Sequence, residues 1–263
     1  MPAGRSTDLR RLRDANSEAG SQTISGIIRV PNLVLRPLTL RDWRHQDKLP
    51  QTGGVIIAAN HISNVDPLAL GQFVAYSGRW PRFLAKDSLF RGRLLNRLLT
   101  AAGQIPVARS TGHSRDALRA AREAIDAGRA VVIYPEGTIT RDPDLWPMRA
   151  KTGVVRLALE TRGPIIPVGQ WGAQDIMWGP RLELPKLWPR KTLHILVGDP
   201  VPLDDLRDEP VTAAVLAVAA DRVMAAITAL VAELRGEPPP PTRYDPRPTP
   251  VDAATVAAPE ATA

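Results

Sequence analysis

The chain has no cysteine, which excludes disulfides, thiolate nucleophiles, zinc knuckles and iron–sulfur clusters by counting. Aromatic residues are only 5% of it, and the arginines are dispersed. A nucleic-acid-binding face would instead need clustered cations interleaved with aromatics. No run approaches the roughly 18–20 uninterrupted apolar residues of a membrane-crossing helix. The best stretch, Ile24 to Leu40, is broken by Arg29, Pro31, Arg36 and Pro37. The charges near the N-terminus are followed by no apolar segment, so the pattern of a secretory signal is missing. The expectation is a protein without a transmembrane helix that meets a membrane, where it does so, by lying on its surface.

What the chain has in excess is positive charge. Lys and Arg number 34 against 27 Asp and Glu, a formal charge of +7, and most of the cations are Arg. The guanidinium fork pairs with phosphate in two-point contacts. Such a balance suits a nucleic acid, an anionic membrane surface or an anionic small molecule, and net charge does not choose among them.

Residues 1–23 are polar without apolar periodicity, and residues 236–263, with the run Pro238 to Pro241, are rich in Pro, Ala and Thr. Both are expected to be disordered tails around one folded body at 24–235. In that body short apolar runs alternate with amphipathic stretches. The patterns predict strands over 54–59, 82–86, 130–134, 164–168 and 193–197. They predict helices over 67–74, 89–102, 114–127, 151–162 and 211–234. The 89–102 helix gathers apolar residues near one face and Arg91, Arg93 and Arg97 toward others. The expected fold class is α/β: a single domain whose central mixed sheet is flanked by helices.

The most informative segment is Asn60-His61-Ile62-Ser63-Asn64-Val65-Asp66, between the strand ending at Ala59 and the helix opening at Pro67. Residues five apart on a helix differ by about 140°, so His61 and Asp66 meet only across a turned loop. Asp before Pro reads as a helix cap with Pro in the first turn, a geometry that folds Asp66 back toward His61. A carboxylate on one ring nitrogen fixes the tautomer and leaves the other to take a proton from a hydroxyl. With no cysteine and no G-x-S-x-G elbow, direct transfer to an external hydroxyl fits better than a covalent enzyme intermediate. Taken alone, the spacing is equally that of a capping Asp and a satisfied loop His.

A second segment, Ile133 to Arg141, places Glu136, Gly137, Thr138 and Arg141 just past another strand, where open α/β sheets bind ligands. There Glu136 could accept hydrogen bonds from a polyol and Arg141 could neutralise a phosphate. Lys86 and Arg109 are further candidate phosphate contacts. Each of these residues alone is also an ordinary turn residue or a solvated surface cation.

Four blocks then occur in order: Asn60-His61-x-Ser63-x-x-Asp66, Gly103-x-Ile105-x-Val107-x-Arg109, Pro135-Glu136-Gly137-Thr138 and Ile166-Pro167-Val168. Together they resemble the glycerolipid acyltransferase family, in particular its 1-acyl-glycerol-3-phosphate acyltransferases, over roughly residues 54–168. Lys86 to Phe90 and Lys151-Thr152-Gly153 also stand as in that family. The resemblance implies transfer of a fatty acyl group from acyl-CoA or acyl-carrier protein to a hydroxyl, the sn-2 one, of a lysophospholipid acceptor. It implies His61 as general base and Asp66 as its orienting partner. By the same carry-over Glu136, Gly137 and Thr138 line the acceptor site, Arg109 contacts the phosphate and Lys86 assists it. No metal or bound cofactor is required, because the thioester is already activated.

Two departures bear on the acceptor. Many relatives carry Arg directly after Glu-Gly-Thr, where this chain has Ile139, which leaves Arg141 to supply that contact. Many also have an aromatic and an acidic residue where this chain has Pro106 and Ala108. Another lysophospholipid or a glycolipid is therefore an alternative acceptor. The alternative of another class is a non-catalytic basic scaffold for a membrane or nucleic acid, which the presence of both His61 and Asp66 disfavours, and no nucleic-acid partner is expected. The expected location is the cytoplasmic face of the plasma membrane, on an anionic surface. The segments 24–40 and 89–102, with Trp146 and Trp188, are the candidate contacts.

Overall fold

A strand buried on both faces reads as an unbroken apolar run, and Val55-Ile-Ile-Ala-Ala59 is such a strand at the centre of the sheet. The computed structural model describes residues 37–107, 114–179 and 184–246, together with Ala15. The strands are β1 (Thr39–Arg44), β2 (Val55–Ala59), β3 (Pro81–Lys86), β4 (Ile105–Val107), β5 (Ala130–Ile133), β6 (Ile165–Trp171) and β7 (Lys191–Val197). The helices are α1 (Asp66–Tyr76), α2 (Arg93–Ala101), α3 (Ser114–Asp126), α4 (Gly153–Thr161) and α5 (Ala213–Arg235).

The strands form one seven-stranded mixed sheet in the order β1-β7-β6-β2-β5-β3-β4. The block β6-β2-β5-β3-β4 is parallel throughout, and β7 runs antiparallel to β6 while carrying β1 parallel to itself. The carboxyl ends of β2, β5, β6 and β3 therefore share one edge of the sheet. Alternation along β2 divides the core in two. Ile56 and Ala58 pack with residues of α3, α4 and α5 on one face, whereas Val55, Ile57 and Ala59 pack with Leu70, Phe73 and Val74 of α1 on the other. The α/β class and the mixed sheet are as the sequence led us to expect.

The elements deviate from expectation where neighbours override local pattern. β6 runs on to Trp171 because β7 pairs with it through Trp171↔His194. The expected 89–102 helix is divided into a 3-10 turn at Asp87–Phe90 and α2, at Gly92, a poor helix former. β1 and β4 were not foreseen; β1 is half-exposed and polar, and β4 is three residues long. Contacts with the body also continue past the expected boundary at Gly236. The Arg149 N–H donates to Tyr244 O, Arg149 pairs with Asp245, and Arg243 pairs with Asp221. The expected tails at 1–23, apart from Ala15, and beyond 246 lie outside the described residues.

α5 is the one described helix long and apolar enough to cross a membrane by composition. One stripe of it, including Leu216, Val223, Ile227 and Val231, is instead core against the sheet. The close approach depends on Gly169 in β6, where an added Cβ would lie 2.7 Å from Leu230 Cβ and 3.0 Å from its carbonyl carbon. Gly169→Val is expected to push α5 off the sheet and to lower stability by about 1–3 kcal/mol. A denaturant midpoint unchanged from the parent would contradict this packing.

Candidate active site

Where the pairing of β2 with β6 stops, side chains take over. Asn60 Nδ2 donates to Gln170 O at 3.0 Å, Asn60 Oδ1 accepts the Gln170 N–H at 2.9 Å, and Gln170 Nε2 donates to Asn60 O at 2.6 Å. This buried clasp closes the ends of both strands and sets the chain direction at His61. The main chain of His61 is then held on both sides. Its N–H donates to Glu136 Oε1 at 2.9 Å, and its carbonyl accepts the Thr140 N–H at 2.7 Å.

The His61 ring meets Asp66 as expected, with Nδ1 2.8 Å from Oδ2 and the two side chains 15% and 0% exposed. The same oxygen accepts the N–H groups of Ile62 at 2.6 Å and Ser63 at 2.8 Å. An oxygen collecting three donors acts as a carboxylate acceptor, so the bonding assigns the proton to Nδ1 and leaves the Nε2 lone pair outward. Nε2 has no hydrogen-bond partner among the described residues. The expectation that Asp66 caps α1 is corrected. The helix begins at Asp66 itself, its N-cap is Val65 without a side-chain bond, and the carboxylate turns back over the loop. The reason is that the Ile62 and Ser63 amides sit in a buried turn past the end of β2, and Asp66 is the acceptor within reach.

The ring of His61 stacks on Tyr134, with centroids 4.2 Å apart and planes at 17°, and Phe83 lies beyond Tyr134 at 6.3 Å. Sequence reasoning assigned Tyr134 no role, although its place next to Pro135-Glu136 was the available signal. Burial, reinforced by the charge of Asp66, pushes the Tyr134 phenol well above its ordinary range, so the ring stays neutral beside the imidazole.

Glu136 is 3% exposed, and its second oxygen accepts the Met148 N–H at 2.9 Å. Both oxygens are thus spent on main chain. In this placement Glu136 joins the His61 loop to the 140–148 loop. Burial pushes its carboxyl up to about 8 against the opposing effect of the two amides, with Asp66 and Asp142 adding repulsion. Gly137 adopts φ +72, and a Cβ there would lie 3.0 Å from Lys151 Cε and Nζ. The half-buried Thr138 follows it. Lys151, which the sequence reading had not placed in a site, therefore lies across this turn. Arg141 and Lys86 are exposed at the same edge, Ile139 is buried, and Arg109 lies outside the described residues. Trp146 is buried beneath the guanidinium of Arg235 at 4.0 Å, which corrects its expected role as a membrane anchor.

A second His–Asp pair, His194 Nδ1 to Asp42 Oδ2 at 2.8 Å, joins β7 to β1. Arg44 grips the same carboxylate and, with His194, holds it down at about 2. That pair lies within a ladder register, Asp42↔His194. Among the described residues no cluster of His, Asp or Glu suited to holding a metal is present.

Two consequences are measurable. In Asp66→Asn an amide NH2 competes for the position that receives the main-chain donors, with an expected loss of about 1–3 kcal/mol in unfolding free energy; parental stability would contradict the three-donor arrangement. Glu136 binds its proton more tightly folded than unfolded, because its pKa rises from 4.5 to about 8. Its stabilising contribution is full below the unfolded value and declines as pH rises through the folded one. Unfolding free energies measured across that window should fall less steeply with pH in Glu136→Gln than in the parent.

The model of the acyltransferase family matches residues 41–171, from β1 to the end of β6. The chloroplastic 1-acyl-sn-glycerol-3-phosphate acyltransferase BAT2 of Brassica napus is 27% identical over 151 residues, which cover 56% of this chain and 41% of that protein. This chain thus aligns with less than half the length of that relative. The crystal structure of the 1-acyl-sn-glycerophosphate acyltransferase PlsC from Thermotoga maritima superposes with a TM-score of 0.64 at 19% identity, over 82% of this chain and 81% of that one. That likeness is one of fold. Over these matched residues, which carry the His61–Asp66 pair at the carboxyl edge of the sheet, the chain is similar to the acyltransferase family.

Proposed function

We propose that the protein transfers a fatty acyl group from an acyl-CoA or acyl-carrier-protein thioester to the sn-2 hydroxyl of 1-acyl-glycerol-3-phosphate, giving phosphatidic acid. The observation that carries this reading is His61: its Nδ1 is committed to Asp66 and its Nε2 is open. In the step, Nε2 takes the hydroxyl proton as the oxygen attacks the thioester carbonyl. The tetrahedral intermediate collapses with cleavage of the C–S bond, and the imidazolium returns the proton to the departing thiolate. Asp66 stabilises the imidazolium between the two transfers, and Tyr134 keeps the ring from turning. The step calls on no metal or bound cofactor.

The acceptor phosphate is assigned to the cations of the same sheet edge. Lys151 across Gly137 is the best placed, with Arg141 and Lys86 as the further contacts; Arg109, outside the described residues, is a contact implied by the sequence resemblance alone. Burial of Ile139 removes the position after Thr138 from this set, and it is the observation that keeps another lysophospholipid or a glycolipid as the second reading. The enzyme would act as a peripheral protein on an anionic membrane, at the cytoplasmic face of the plasma membrane, since its acceptor resides in the lipid layer.

The test is acyl transfer from palmitoyl-CoA to lysophosphatidic acid, with lysophosphatidylglycerol and monoacylglycerol as rivals. His61→Ala should lower turnover by about 10²–10⁴-fold, and near-parental turnover would overturn the mechanism. Product with lysophosphatidic acid alone supports the proposed acceptor; product only with a rival moves the substrate and keeps the chemistry. Lys151→Ala should raise KM for a phosphorylated acceptor while leaving that for the thioester unchanged.

A further inference from the structure

α2 has nine residues and not one of them is buried. An isolated helix of that length is marginal in water, because most helical stability in proteins comes from burying an apolar face. This helix has such a face, and it is bare: Leu94 is 73% exposed and Leu95 and Leu98 are each 43% exposed. At about 100° per residue these leucines form one stripe. Arg93 and Arg97 project along its border, and Asn96 and Thr100 occupy the opposite side. Among the described residues Arg93 and Arg97 have no acidic partner, whereas Arg119 and Arg122 of α3 and Arg156 of α4 pair within or between their helices. Leu89, 46% exposed, extends the patch toward the N-terminus of α2, where Arg91 pairs with Asp87. Unneutralised arginines bordering exposed leucines are complementary to a layer that is apolar beneath and anionic above.

The placement of α2 agrees with its character. It follows β3, whose Phe83 lies beside the Tyr134 ring that stacks on His61, so it leaves the sheet at the edge that holds the site. On the other flank, Ser63 and Asn64 bind the main chain of Met177 and Gly179, and between these two residues Trp178 is exposed. Bare apolar side chains thus stand on α2, past the end of β3, and at Trp178, beside the His61 loop. We propose that the Leu94–Leu95–Leu98 face of α2 is the surface by which this protein docks on an anionic phospholipid bilayer, with Arg93 and Arg97 on the headgroup phosphates and the His61 site turned toward the lipid layer. The proposal rests on the acyltransferase reading above for the reason a bilayer is met, and its own evidence is the uncovered helix.

The absence of cysteine makes the test clean, since Leu94→Cys in the full chain accepts a single environment-sensitive fluorophore. Phosphatidylcholine vesicles containing phosphatidylglycerol should shift its emission to the blue and expose it to a quencher carried on the lipid. The same label at Arg119→Cys, exposed on α3, should not respond. In sedimentation with those vesicles, Leu94→Ser/Leu98→Ser and Arg93→Ala/Arg97→Ala should each bind about tenfold or more weakly than the parent. Both variants should keep parental transfer to a short-chain acceptor dissolved as monomers. A label at Leu94 that ignores vesicles, or vesicle binding unchanged in both variants, would overturn the proposal. A label already blue-shifted without lipid overturns it too; dilution then tells a second copy from the chain's own N-terminal part as the cover. Absence of transfer to the monomeric acceptor in the parent defeats the catalytic reading instead, and the fluorophore and sedimentation readouts do not depend on turnover.

Discussion

One buried carboxylate oxygen organises the site. Asp66 is fully excluded from solvent, and a charge in that position persists only with donors to offset its burial; Oδ2 collects them and Oδ1 has no partner among the described residues. The amides of Ile62 and Ser63 and the imidazole of His61 are those donors. The loop therefore has one conformation in which its own unpaired N–H groups and the ring are satisfied at once. Burial of the acid thus settles three things together: the turn between β2 and α1, the tautomer of His61 and the direction of its free nitrogen.

The remaining contacts hold this loop against the rest of the sheet edge. Asn60 fastens it to β6, Glu136 and Thr140 fix the His61 main chain from the β5 side, and Tyr134 covers one face of the ring. The position of the His61 ring is in this way inherited from three parallel strands rather than from a flexible loop. The His194–Asp42 pair shows that the bond alone does not make a site. It has the same 2.8 Å separation, yet it lies within a strand ladder and Arg44 neutralises its carboxylate.

Much of this was legible in advance. The strand β2 and the turn after it could be read from Val55 to Pro67, because an apolar run followed by polar residues and Asp-Pro has few ways to fold. The roles of Glu136 and Tyr134 could not. The two partners of Glu136 are main-chain amides of residues 61 and 148. No composition or spacing announces a bond to a distant backbone. Likewise Trp146, flanked by Leu and Pro, has the sequence of an interfacial anchor, and it is Arg235 at the end of α5 that closes over it.

By itself, then, the sequence determined the α/β alternation, the apolar centre of the sheet, the exclusion of thiol and disulfide chemistry and the residues able to move a proton. These follow from local pattern, burial of apolar runs and the chemistry of single side chains. The tertiary structure decided which acid orients the histidine and which only supports it, which cation crosses the Gly137 turn, and which amphipathic helix stays uncovered. Each of those depends on what lies opposite a residue in space, and α2 shows the difference: its pattern of leucines and arginines is that of an ordinary core-facing helix, and only the absence of a neighbour among the described residues makes it a surface.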